Sequence, residues 1–132
     1  MSENKKDVQF MHISSEQMAA YKATHRCRME NDRKQLSLRY HQAWKIAGKG
    51  ADLLKKEFGA KEVTLFGSLL RKELFHIKSD VDLAVCGLDE KLYYRAVSRL
   101  LDLDADIQTD LVMTEDAAES LRKRIGKEGI VI

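Results

Sequence analysis

The stretch from Leu65 to Val85 constrains this chain more than any other. It reads Leu65-Phe66-Gly67-Ser68, eleven further residues, then Asp80-Val81-Asp82-Leu83-Ala84-Val85. A short apolar run ends in Gly-Ser, and a second opens with two aspartates one residue apart. Side chains alternate in a strand, so Asp80 and Asp82 project from one side, close enough to share a cation. Gly67 lets the backbone approach a ligand closely. Ser68, at the start of a helical turn, offers a hydroxyl and unpaired amides to phosphate oxygens. A phosphate cradle followed by paired carboxylates is what metal-assisted nucleotidyl transfer requires.

A chain of 132 residues has room for one domain with one core, with an appended helix. Hydrophobic residues at 44% against 33% charged exclude a disordered polymer, and no run approaches the length of a membrane span. With no secretory signal, a cytoplasmic location is expected. The opening Met-Ser-Glu-Asn-Lys-Lys is polar and expected to fray. Cys27 and Cys86 form no metal or redox motif, and Cys86, ending an apolar run, reads as a buried free thiol. Residues 1–60 carry 12 Lys/Arg against 7 Asp/Glu, whereas residues 61–132 carry 11 against 14. A basic N-terminal part suits nucleic acid or an acidic partner; the plainer reading is a solvated helix face.

From Ser14 to Phe58 only Gly48 and Gly50 interrupt a helical pattern, with Ser14 or Ser15 as the cap. Leu36, Tyr40, Trp44, Ala47, Ala51, Leu54 and Phe58 form a stripe at helical spacing that should pack on a sheet, and Gly59 closes the helix. Glu16 to Lys34 has a weaker stripe (Met18, Tyr21, Met29) among many basic residues, and reads either as an arm that a partner covers or as ordinary surface helix. The chain then divides into residues 1–35, a helical extension read as partner-binding, and residues 36–132, the single domain that carries the candidate catalytic residues. Val63 to Phe66 reads as the first strand, Ser68 to Lys72 as a short helix, Phe75 to Ser79 as a loop and Val81 to Cys86 as the second strand. Asp89 should cap a helix to Leu101. Asp106 to Met113 should be the third strand, Thr114 the cap of a helix through Ile125, and Gly129 to Ile132 a short edge strand. Strands alternating with helices predict an α/β (α+β) fold, a small mixed sheet flanked by helices behind a long N-terminal helix.

Asp110 stands in the third strand amid Ile107, Leu111 and Val112, where a carboxylate is costly unless paired or metal-bound. Beside the second strand it joins Asp80 and Asp82 in one acidic cluster. Three crowded carboxylates repel, and divalent cations relieve them. Two Mg²⁺ ions bridging them and a nucleoside triphosphate would activate the attacking oxygen and neutralise the leaving pyrophosphate, with Asp110 as general base. Asp89, Asp102, Asp104 and Asp106 read as caps or solvated residues. The four histidines show no ligand spacing, and only His76, between cradle and carboxylates, invites attention.

Gly67-Ser68, Arg71, Asp80-Val81-Asp82-Leu83-Ala84-Val85 and Asp110-Leu111-Val112 together resemble the DNA polymerase beta-like nucleotidyltransferase superfamily. More narrowly, the chain from about residue 36 onward is similar to the minimal nucleotidyltransferases of prokaryotes, many of them antitoxins. The closing Glu119-Ser120-Leu121-Arg122-Lys123-Arg124-Ile125 and Glu128-Gly129-Ile130-Val131 share the likeness. The resemblance implies metal-coordinating roles for Asp80 and Asp82, a third carboxylate at Asp110, and phosphate contacts from Gly67 and Ser68; Arg71 is read as a further phosphate contact. It implies Mg²⁺ and ATP, and a HEPN-domain partner, often a ribonuclease toxin, silenced by transfer of AMP to a tyrosine. Two departures stand out: the loop between Gly-Ser and the first aspartate is one residue longer than usual, and Lys72 stands where the family tends to have glycine. Lys72 then offers phosphate a cationic contact in place of backbone amides.

The leading expectation is a Mg²⁺-dependent nucleotidyltransferase that acts as an antitoxin. The alternative is a catalytically weak or inactive antitoxin that neutralises its partner by binding alone, through the N-terminal helix. A third reading, a nucleotidyltransferase acting on small molecules, lacks the extra domain that shapes such acceptor sites. No nucleic-acid recognition motif is present, so no direct nucleic-acid contact is expected.

Overall fold

A computed structural model describes residues 14–132. The polar N-terminal stretch lies outside the described residues. The chain divides into two compact units, one ending at Gln35 and the other covering Leu36–Ile132. Helix α1 runs over Ser15–Glu57 and contributes residues to both. Its start carries a reciprocal cap: the Gln17 amide donates to Ser14 Oγ, and the Ser14 amide to Gln17 Oε1, both at 3.1 Å. In the first unit every described residue is exposed, Met18, Tyr21 and Met29 included.

The second unit is built on a four-stranded sheet of β1 (Glu62–Phe66), β2 (Val81–Cys86), β3 (Thr109–Met113) and β4 (Ile130–Val131), in the order β3-β2-β1-β4. β1 is antiparallel to both β2 and β4, while β2 and β3 are parallel. A parallel pair needs a crossover, and helix α2 (Tyr93–Leu101) supplies it. Helix α3 (Glu119–Glu128) leads into β4. The predicted mixed sheet with flanking helices and a long N-terminal helix is therefore what forms.

Alternation sorts the sheet into two faces. Val63, Leu65, Val81, Leu83 and Val85 are fully buried and pack with Ile46 and Leu54 of α1 and Leu100 of α2. The buried line of α1 is Ala43, Ile46, Ala47, Gly50, Ala51 and Leu54, whereas Leu36, Tyr40 and Trp44 of the expected stripe are only partly covered. The stripe is thus rotated toward smaller residues, and Gly50 explains why. A Cβ there would lie 3.1 Å from methyl groups of both Leu83 and Leu100, so the glycine lets helix and sheet close together.

Four expectations need correction. The third strand begins at Thr109, not Asp106, because the Asp104 carboxylate accepts from the amides of Asp106 (2.8 Å) and Ile107 (3.0 Å) and folds that segment into a turn. Thr114 opens only a 3₁₀ turn, Thr114–Asp116; Ala117 and Ala118 are then extended, and α3 starts at Glu119. Cys86 is half-buried at the end of β2, not enclosed, and both cysteines are free. Asp89 does cap, but it caps a 3₁₀ turn, Glu90–Leu92, that precedes α2.

Candidate active site

The polar face of the sheet gathers the candidate residues at one end. Phe66 pairs with Asp82 across β1 and β2, and Asp82 pairs with Asp110 across β2 and β3. Gly67 follows β1 directly and turns the chain with φ 87° and ψ −158°, a conformation essentially confined to glycine. A Cβ at Gly67 would collide with the Asp82 carboxylate. Ser68 then starts a 3₁₀ turn, Ser68–Leu70, anchored by the buried Leu69. Gly-Ser, Asp82 and Asp110 thus lie in sequence across three adjacent strands, about 5 Å apart per strand. Asp80 sits one residue before β2, next to the same end.

Repulsion is built into this arrangement. Burial raises the half-buried Asp82 from its ordinary 3.8, and the charges of Asp110 and Asp80 push it further, to about 6. Asp110, although open to solvent, is raised by its partial burial and by Asp80. Among the described residues no group of three or more His, Cys, Asp or Glu side chains converges into a ready-made metal cage. The donor set still suits one ion class: Mg²⁺ is held by one or two carboxylates together with substrate phosphates and water, not by an all-protein cage. Hard oxygen donors that repel one another beside a glycine-cleared space fit that requirement.

The two basic candidates are engaged elsewhere. Arg71 Nη2 pairs with Glu128 Oε1 at 3.1 Å, both side chains about half-exposed. Lys72 Nζ lies 5.5 Å from the centre of the Tyr40 ring. His76 shapes the loop: its amide donates to Ser79 Oγ at 2.9 Å, and its Nδ1 accepts from the Lys78 amide.

Arg39 has a structural role that the sequence did not disclose. Its Nη2 donates to the carbonyl of Ser79, the residue before Asp80, and to that of Asp106, in the turn leading to β3, each at 3.2 Å. One guanidinium thereby ties together the two segments that launch Asp80 and Asp110. Gln42, one turn along α1, donates to Asp104 at 3.3 Å and holds the same turn. In the sequence Arg39 is one cation among many on a basic helix, with nothing to set it apart.

A twisted mixed sheet with Gly-Ser after one strand and aspartates heading the next two defines a nucleotidyltransferase fold. The model for the family described as "Polymerase beta, Nucleotidyltransferase" matches residues 49–132, and the chain belongs to that family. Solved structures share the fold. A toxin–antitoxin with AMP-PNP is 24% identical at a TM-score of 0.52, covering 63% of this chain and 69% of that one. The toxin–antitoxin MntA-HepT is 23% identical at 0.51, covering 67% and 69%. A tri-AMPylated Shewanella oneidensis HEPN toxin in complex with MNT antitoxin is 22% identical at 0.51, covering 67% and 70%. No curated protein matches the chain at a significant level.

Proposed function

We propose that this protein is a Mg²⁺-dependent nucleotidyltransferase that moves AMP from ATP to a hydroxyl, a tyrosine, on a HEPN-domain toxin, and so acts as its antitoxin. The observation that carries the reading is the placement of Gly67-Ser68, Asp82 and Asp110 on three neighbouring strands at one end of the sheet. The fold relatives add support, since they include toxin–antitoxin pairs, one with AMP-PNP and one with an AMPylated HEPN toxin.

In this scheme Gly67 keeps space clear for the phosphates beside Asp82, and Ser68 binds them. Asp80 and Asp82 hold Mg²⁺, which when bound neutralises charge on the phosphates and the leaving pyrophosphate. Asp110, on the far strand, accepts the proton of the acceptor hydroxyl. Its raised proton affinity makes it a better base than an ordinary aspartate. Catalysis then rests mainly on positioning and charge neutralisation. Arg71 and Lys72 reach phosphates only by leaving Glu128 and Tyr40, so their contribution comes with nucleotide binding.

The test is incubation with the HEPN partner, Mg²⁺ and α-labelled ATP, reading label on either chain by mass. Labelled partner, absent when Asp80→Asn and Asp82→Asn are combined, is the expected result. Full labelling by the double variant overturns the assignment. The second reading, inhibition by binding alone, is favoured by one observation: among the described residues, the first unit leaves Met18, Tyr21 and Met29 exposed on its helix. It requires that the aspartate double variant still neutralise the toxin and that removal of residues 1–35 abolish neutralisation.

A further inference from the structure

An open cleft of about 420 Å³ lies along β3 and is not used by the scheme above. It is lined by Tyr93 and Tyr94 at the start of α2, by Val112 and Met113 of β3, and by the exposed Glu90 and Asp116. Tyr93 is fixed, its hydroxyl donating to the Leu111 carbonyl at 2.8 Å, and it meets Tyr94 edge-on with ring centres 5.4 Å apart. Tyr94 is 83% exposed. The cleft is therefore a preformed aromatic wall facing solvent, with two exposed carboxylates beside it.

Its position gives it a meaning. Across the sheet, Gly67-Ser68 follows β1, Asp82 lies on β2 and Asp110 on β3, which is an edge strand. In a phosphoryl displacement the attacking and leaving oxygens lie roughly in line. With pyrophosphate held at the β1 side, the acceptor must arrive from the β3 side. Val112 is two residues along β3 from Asp110 and on the same face, about 7 Å away, roughly the reach of a tyrosine side chain.

Resting on the transferase reading, we propose that this cleft seats the acceptor: a basic protein segment whose hydroxyl-bearing side chain extends from it to Asp110. The two exposed carboxylates select positive charge and disfavour the anionic nucleotide. The Tyr93 and Tyr94 rings supply apolar and cation–π contacts to aromatic, Lys or Arg side chains. In the step itself the acceptor oxygen bonds to the α-phosphorus of the nucleoside triphosphate. The bond from that phosphorus to the bridging oxygen breaks, pyrophosphate leaves with its electron pair, and the hydroxyl proton passes to Asp110.

The probe is a short synthetic Lys/Arg-rich peptide with one tyrosine, together with its Glu-rich counterpart, presented to the full chain with Mg²⁺ and ATP. The wild type should label the basic peptide. Tyr94→Ala, and separately Glu90→Lys with Asp116→Lys, should raise the KM for the peptide about tenfold with the KM for ATP unchanged. The charge-reversed variant should turn its preference to the Glu-rich peptide. A rise in the KM for ATP instead assigns the cleft to the nucleobase, and no change in either leaves it idle; both outcomes overturn the proposal. Label on the HEPN partner but on neither peptide keeps the transferase reading and overturns the cleft as acceptor seat; label on neither partner nor peptide fails the transferase reading, and the cleft is then judged by binding. Amide shifts at Tyr93, Tyr94 and Met113 on adding the basic peptide, lost on charge reversal, sustain it, and their absence overturns it.

Discussion

Asp82 and Asp110 stand directly opposite each other in the parallel pairing of β2 with β3, two carboxylates on one face of neighbouring strands. Asp82, raised from 3.8 to about 6, keeps in the folded chain a proton that the unfolded chain releases at lower pH. Stability therefore falls as pH rises from about 4 to about 6, by on the order of 1 kcal/mol because solvent partly screens the half-exposed group. Asp82→Asn should remove that loss and be the more stable protein above pH 6, and it should abolish transfer. Mg²⁺ should stabilise the wild type most above pH 6, where the carboxylates are charged, and stabilise the variant little. Urea unfolding on either side of pH 6, with and without Mg²⁺, checks the stability outcomes, and labelling with α-labelled ATP checks the loss of transfer.

Gly67→Ala tests the cradle. The φ of 87° already strains any residue with a Cβ, at a cost of about 1–3 kcal/mol, and the added methyl meets the Asp82 carboxylate. The variant should melt earlier and lose nucleotide binding. Combining it with Asp82→Ala, which removes the obstructing carboxylate, should recover part of the stability but none of the activity. Calorimetry and binding of a fluorescent ATP analogue separate the two.

Much of this fold was legible because local signals agreed. Val81 to Cys86 alternates so regularly that the predicted strand and the observed one coincide, and Gly59 ends α1 with φ 69° as a C-terminal glycine should. The candidate residues Gly67, Asp80, Asp82 and Asp110 could be placed together because strand alternation and strand adjacency are the only rules needed. Whatever depends on one side chain reaching a distant backbone was invisible. The Asp104 turn shortened β3, and the Arg71–Glu128 and Lys72–Tyr40 contacts engage two expected phosphate ligands. The burial of Ile46 in preference to Trp44 depends on how closely α1 approaches β2 and α2 at Gly50, which no helical periodicity encodes.

Thr109, one residue before Asp110, is buried, and its hydroxyl has no hydrogen-bond partner among the described residues. An unmet buried polar group costs free energy that a methyl of the same shape does not. Thr109→Val should stabilise the chain by about 1 kcal/mol and leave transfer unchanged, since the side chain points into the core, away from Asp110. Equilibrium unfolding gives the sign directly. A destabilised variant would mean that the hydroxyl bonds to an internal water.

Arg39 separates positioning from chemistry. Its two carbonyl contacts, to Ser79 and Asp106, involve a charged donor, so Arg39→Ala should cost about 2 kcal/mol of stability. A greater effect is expected on catalysis, because both segments that launch Asp80 and Asp110 lose their common tether. A displacement of about 1 Å at such groups can cost roughly a hundredfold in rate. The Mg²⁺ concentration for half-maximal activity should rise with it, since Asp80 is no longer held in place. Arg39→Lys keeps the charge and enough donors for both carbonyls, but its ammonium lacks the rigid planar fork that aims Nη2 between them, so it should recover stability more than rate. Kinetics titrated with Mg²⁺, beside unfolding of the same variants, decide the matter: a loss of stability with unaltered Mg²⁺ dependence would make Arg39 a structural tie alone.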